Sequence, residues 1–147
     1  MKAHYLGHIV FYVRDMDRSL AFYRDLLGFG EVGSWGRQAV ALTSGRTHHE
    51  ILLIEVGAAP GPLQGQRLGL YHVGIKVGDS LDELRAARDE LLEHGITIDG
   101  ASDHTVTQSL YLKDPDGNEV ELYVDADPAI WENDPSAVMA RIKPLKL

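Results

Sequence analysis

The chain repeats itself, and no other feature limits its possible folds so strongly. Residues 8–27, HIVFYVRDMDRSLAFYRDLL, lie over residues 72–91, HVGIKVGDSLDELRAARDEL, at an offset of 64. The pairs His8/His72, Val13/Val77, Asp15/Asp79, Leu20/Leu84, Arg24/Arg88, Asp25/Asp89 and Leu27/Leu91 are identical. Each copy opens as a strand, with His followed by apolar residues, and then enters a helix near an Asp suited to capping it. Leu20, Tyr23 and Leu27 mark one apolar stripe, and Leu81, Leu84, Leu91 and Leu92 the other. Gly28 and Gly95 end the two helices, where a left-handed residue is favoured. Three strand candidates follow each helix: 29–34, QAVALTS and HEILLIEV in the first copy, and 96–99, TQSLYLK and NEVELYV in the second. Both copies therefore read β-α-β-β-β, an α+β chain of two paired modules.

These boundaries predict a single domain over residues 1–127. Module one covers 5–56, the Gly/Pro-rich stretch GAAPGPLQGQRLG (57–69) links the copies, and module two covers 70–125. The tail, 128–147, is expected to hold one short helix, with Trp131 packed onto the domain. A chain of 147 residues is long enough to bury a real core. Its net charge of −8, without any basic run, excludes a nucleic-acid backbone or an anionic membrane as partner. No apolar stretch approaches the roughly 20 residues that span a bilayer. The N-terminal MKAHYLGHIVFYVRD reads as a strand rather than a signal peptide, so the cytoplasm is the expected location. The absence of cysteine excludes disulfides, thiolate metal sites and a Cys nucleophile. A nucleophile elbow is also missing, and GFGEVG lacks the ending of a phosphate loop.

Chemistry enters where the copies differ. In YLKDPDGNEVELYVD (111–125), a turn at Asp114–Gly117 leads into a strand with Val120, Leu122 and Val124 on one face. Glu119, Glu121 and Tyr123 occupy the other face. Laying HEILLIEV over NEVELYVD (offset 69) sets Glu121 opposite Leu52, so a carboxylate replaces an apolar residue. Both copies keep a His on the first strand. His8, His72 and Glu121 are thus three candidate ligands, two imidazoles and a carboxylate, the facial triad of a non-haem Fe(II) site with positions open for substrate. The plainer reading makes each His a hydrogen-bonded strand residue and Glu121 a solvated one.

Together, GHIVFYVRDMDRSLAFYRDLLGF, YHVGIKV and LYLKDPDGNEVELY resemble the vicinal oxygen chelate superfamily, which includes glyoxalase I, bleomycin resistance proteins and extradiol dioxygenases. Over roughly residues 5–125, this resemblance implies paired βαβββ modules forming a U-shaped, partly closed barrel around a metal. It also implies ligand roles for His8, His72 and Glu121. Glyoxalase I-like members carry a further Glu where Leu52 stands, so the extradiol pattern fits better. Glu50, two residues earlier on the same face, is a possible fourth ligand. Tyr111 corresponds to the tyrosine that hydrogen-bonds a bound catecholate. His104 resembles a histidine at the site's mouth, although the extradiol acid–base His is expected nearer Ser102.

The implied function is a metal-dependent dioxygenase acting on a catecholic small molecule, with Fe(II) as the cofactor and Mn(II), Ni(II) or Zn(II) as alternatives. Its rivals are an isomerase, epimerase or thiol transferase on the same metal, and a metal-independent binding protein walled by Tyr12, Trp35, Tyr71, Tyr111 and Tyr123. Small modules of this kind dimerise, so a homodimer is expected.

Overall fold

Two modules of the same local plan carry the chain, because each amphipathic helix needs a sheet face to bury its stripe. The computed structural model describes residues 1–147, which divide into two compact units. The first comprises Met1–Leu63 with Pro115–Gly117, and the second Gln64–Asp114 with Asn118–Leu147.

In the first unit, β1 (Ile9–Val13) leads to α1 (Met16–Leu20), which runs on as π-helical turns through Ala21–Leu26. β2 (Gly30–Trp35), β3 (Ala39–Thr43) and β4 (Ile51–Glu55) complete a sheet of order β1-β4-β3-β2. Only the β1–β4 pair is parallel. Asp15 caps α1 by accepting from Arg18 N–H at 2.9 Å. Gly28 adopts φ 78° at the helix end, as its place in the repeat predicts. The buried face is Phe11, Val13, Val40, Leu42, Ile51 and Leu53, against Met16, Leu20, Phe22 and Tyr23.

The second unit repeats the plan. β5 (His72–Gly78), α2 (Leu81–Glu93), β6 (Ile98–Asp103), β7 (Thr107–Lys113) and β8 (Glu119–Asp125) give the order β5-β8-β7-β6, again with one parallel pair, β5–β8. Strict alternation in β8 buries Val120, Leu122 and Val124 beneath Leu84 and Leu91 of α2. The α2 cap is Ser80 rather than the repeat-related Asp79. Glu83 N–H donates to Ser80 Oγ at 3.3 Å, while Glu83 Oε2 accepts from Asp79 N–H at 2.8 Å, a reciprocal capping box.

The tail forms α3 (Ala129–Asn133), a 3₁₀ turn (Pro135–Met139) and a short strand, β9 (Lys143–Pro144), which extends the second sheet beyond β6. Trp131 is part-exposed, and with Val106, Pro135 and Val138 it lines a groove of about 640 Å³. The α+β fold of paired βαβββ modules is present, as two separate open sheets of four and five strands. No helix is long and apolar enough to cross a membrane.

Register matches the two modules around one row, up to the shift in β5 between Lys76 and Gly78. Val10 pairs with Leu52 in the first sheet, and Gly74 with Glu121 in the second. These are the offsets of 64 and 69 found in the sequence, so Leu52 is the structural counterpart of Glu121. Both sheets also break register at the same place, between Glu31 and Gly33 and between Ile98 and Gly100.

Candidate metal and diol site

One register row crosses the second sheet through Gly74, Glu121, Tyr111 and Gly100. Because partners in a row share a face, β8 and β7 deliver Glu121 and Tyr111 side by side on the face opposite α2. His72, register partner of Glu119, reaches along that face. Its Nε2 lies 3.1 Å from Glu121 Oε2, and the two side chains are 28% and 15% exposed. The Tyr111 hydroxyl donates to the other carboxylate oxygen, Glu121 Oε1, at 3.1 Å. His104 Nε2 stands 2.6 Å from the same hydroxyl and 4.0 Å from Glu121 Oε1. Since the phenol proton is directed to Glu121, His104 Nε2–H is the donor toward the phenol oxygen. A continuous polar chain results: His72, Glu121, Tyr111, His104.

His104 arrives from a strained turn between β6 and β7. Its N–H donates to Thr107 O at 2.8 Å, and Asp103 Oδ1 accepts from Thr105 N–H at 2.7 Å. Thr105 has φ 74° and is the only non-glycine residue with positive φ. A β-branched residue there is a genuine outlier, of a kind that clusters at functional sites. Sequence reasoning placed His104 at the mouth without this turn, because no propensity signals a left-handed threonine.

Electrostatics keep Tyr111 protonated. Burial raises its pKa, and the Glu121 carboxylate beside it raises it further. Tyr123 is likewise raised, mainly by burial. Tyr71, whose ring lies tilted at 4.6 Å from that of His72, is raised by its hydrogen bond to Glu119.

The donor set fits a divalent cation in its chemistry. Two ligand atoms about 2.1 Å from an ion stand roughly 3.0–3.4 Å apart in octahedral or tetrahedral geometry, which the His72–Glu121 separation matches. His72 Nδ1 is buried without a hydrogen-bond partner. No three His, Asp or Glu side chains converge on a point that would hold an ion, so the structure brings together two of the three predicted ligands.

The third predicted ligand, His8, belongs to the first unit, where its ring lies 4.5 Å from that of His49. His49 Nδ1 is in turn 2.7 Å from His48 Nδ1. Burial and the neighbouring His8 and His48 lower the pKa of His49. Glu50, the possible fourth ligand, is engaged elsewhere. It accepts from Ser44 N–H at 2.6 Å and Ser44 Oγ at 2.7 Å, and pairs with Arg46 at 2.9 Å. Burial pushes its carboxyl up, but the Ser44 hydrogen bonds and the Arg46 guanidinium outweigh that and hold it at about 2. A row across the first sheet runs Tyr12, Ile54, Ala39 and Trp35, with exposed aromatics at both ends.

Residues 5–122 match the family profile of the Glyoxalase/Bleomycin resistance protein/Dioxygenase superfamily. The chain belongs to this superfamily. A catechol-2,3-dioxygenase of Bacillus subtilis strain 168 is 37% identical over 131 residues, covering 88% of this chain and 45% of the relative. Biphenyl-2,3-diol 1,2-dioxygenase 3 of Rhodococcus globerulus is 32% identical over 127 residues, covering 82% of this chain and 63% of the relative. The chain thus spans about half the length of the curated relatives it matches. Among solved structures, a glyoxalase/dioxygenase from Nostoc punctiforme superposes with a TM-score of 0.70 at 20% identity, covering 84% of this chain and 92% of its own, a likeness of fold.

Proposed function

We propose that this superfamily member is an extradiol-type dioxygenase that opens the ring of a catechol-class diol at an Fe(II) centre to which His72 and Glu121 contribute. The observation that carries the reading is the chain from His72 through Glu121 and Tyr111 to His104, in a protein similar to two diol dioxygenases.

The cation would supply charge neutralisation for the two vicinal oxygens of the diol and a place for O₂ beside them. The protein's own groups supply the rest. Glu121 accepts the Tyr111 proton and so fixes the phenol oxygen's position on the sheet face. With its own proton directed to Glu121, the Tyr111 oxygen orients the diol by accepting a hydrogen bond from a diol hydroxyl. His104, whose Nε2–H points at the Tyr111 oxygen, is placed to deliver a proton there, the role of a general acid. Glu50, the possible fourth ligand of the isomerase reading, accepts from Ser44 and pairs with Arg46 and so lends that reading no support. The exposed Tyr12 and Trp35 of the first sheet favour assembly with a second copy, a homodimer.

Oxygen uptake by protein loaded anaerobically with Fe(II) and offered a broad panel of catechols tests the reading. Uptake in step with diol consumption is expected. Uptake with none of them overturns it.

A further inference from the structure

Neither conformation nor crowding accounts for Gly74, a member of the site row. Its φ lies outside the left-handed region, so its backbone suits any residue. The nearest atoms that a Cβ built on it would meet are Glu121 Oε2 and Tyr123 Cε1 at 3.5 Å and Tyr123 Cδ1 at 3.8 Å, which is ordinary van der Waals contact. Glycine inside a strand weakens it and marks a bulge or the close approach of another group. The bulge of β5 falls between Lys76 and Gly78 instead.

The internal repeat supplies a control. The counterpart of Gly74 is Val10, and that of Glu121 is Leu52. Where the second module exchanges Leu52 for a carboxylate, it also exchanges Val10 for bare backbone. Gly100, at the other end of the row, has no such asymmetry, because Gly33 holds the same place beside the same bulge. Gly74 is exposed, so the space over it is open to solvent.

We propose that Gly74 is a specificity-determining position, the floor of a slot beside Glu121 Oε2 and the Tyr123 ring through which a planar aromatic diol reaches the His72–Glu121 pair. The inference rests on the diol reading above and names the residue that admits the ring. Side-chain volume at position 74 then sets ligand access without altering the groups that hold the metal.

The test compares wild type, Gly74→Ala and Gly74→Leu, each loaded with Fe(II) without oxygen. Iron per chain is measured, and 4-nitrocatechol is titrated by the shift of its visible band. Equal iron in all three is expected, with the 4-nitrocatechol dissociation constant raised roughly threefold by Ala and more than about tenfold by Leu. Equal affinities with equal iron overturn the role of Gly74 and leave the diol site standing. A wild type that takes up no iron overturns the metal centre and the slot that serves it. Should Gly74→Leu fail to fold, Gly74→Ala decides alone, because its Cβ fits the native packing and an unchanged affinity overturns the proposal.

Discussion

Tyr111 links two groups that would otherwise stand apart, since its hydroxyl bridges Glu121 Oε1 and His104 Nε2. Removing only that oxygen should disconnect His104 from the carboxylate. Tyr111→Phe is therefore expected to lower kcat about 10- to 100-fold while bound metal is unchanged, as checked by oxygen uptake beside metal analysis. Thr105 makes a second claim at this scale. Its positive φ stores strain that glycine would not feel, so Thr105→Gly should raise unfolding stability by about 1 kcal/mol in urea titration. The sequence named Tyr111, His104, His72 and Glu121 as candidates, because repeat and motif are visible as letters. It did not show that Asp103 and Thr105 fold the turn that aims His104, since that depends on a backbone angle propensity does not encode.

Elements were legible where alternation or capping was strong, and least where pairing alone decides. β7 begins and ends where TQSLYLK does, and β8 is shifted one residue from NEVELYV. β6, by contrast, runs to Asp103 through Gly100, Ala101 and Ser102, residues with little strand propensity, because β7 and β9 flank it on both sides. β9 was not expected at all, as two residues around a proline carry no period. α2 rests on Leu84 and Leu91, whereas Leu92 of the expected stripe is exposed. Leu84→Ala should cost about 2–4 kcal/mol, read from the denaturation midpoint. The β3–β4 loop is tied down by Glu50, whose folded pKa of about 2 lies below its ordinary value of 4.5. That contribution is complete above pH 4.5 and fades as pH falls toward 2. Glu50→Gln is therefore expected to lose about 1–2 kcal/mol near neutrality and nothing near pH 2, in unfolding curves taken across that range.

For the whole molecule, the repeat is the source of both the architecture and the site. Two βαβββ modules were readable because seven identities over twenty positions, with matched helix-ending glycines, leave few other pairings. Equal register across this row of both sheets then makes the differences between copies meaningful: Leu52 against Glu121, and Val10 against Gly74. What the letters did not reveal is that Glu50, the counterpart of Glu119, would turn into its own loop, a choice fixed by Ser44 and Arg46 in space. The central claim is that His72 and Glu121 hold a catalytic metal. Metal analysis of protein purified without oxygen or chelator, beside His72→Ala, tests it most directly. Near-stoichiometric iron in the wild type, lost from the variant, is the predicted result. The contradicting result is a wild type that holds no more metal than His72→Ala, even after reconstitution with Fe(II), Mn(II), Ni(II) or Zn(II).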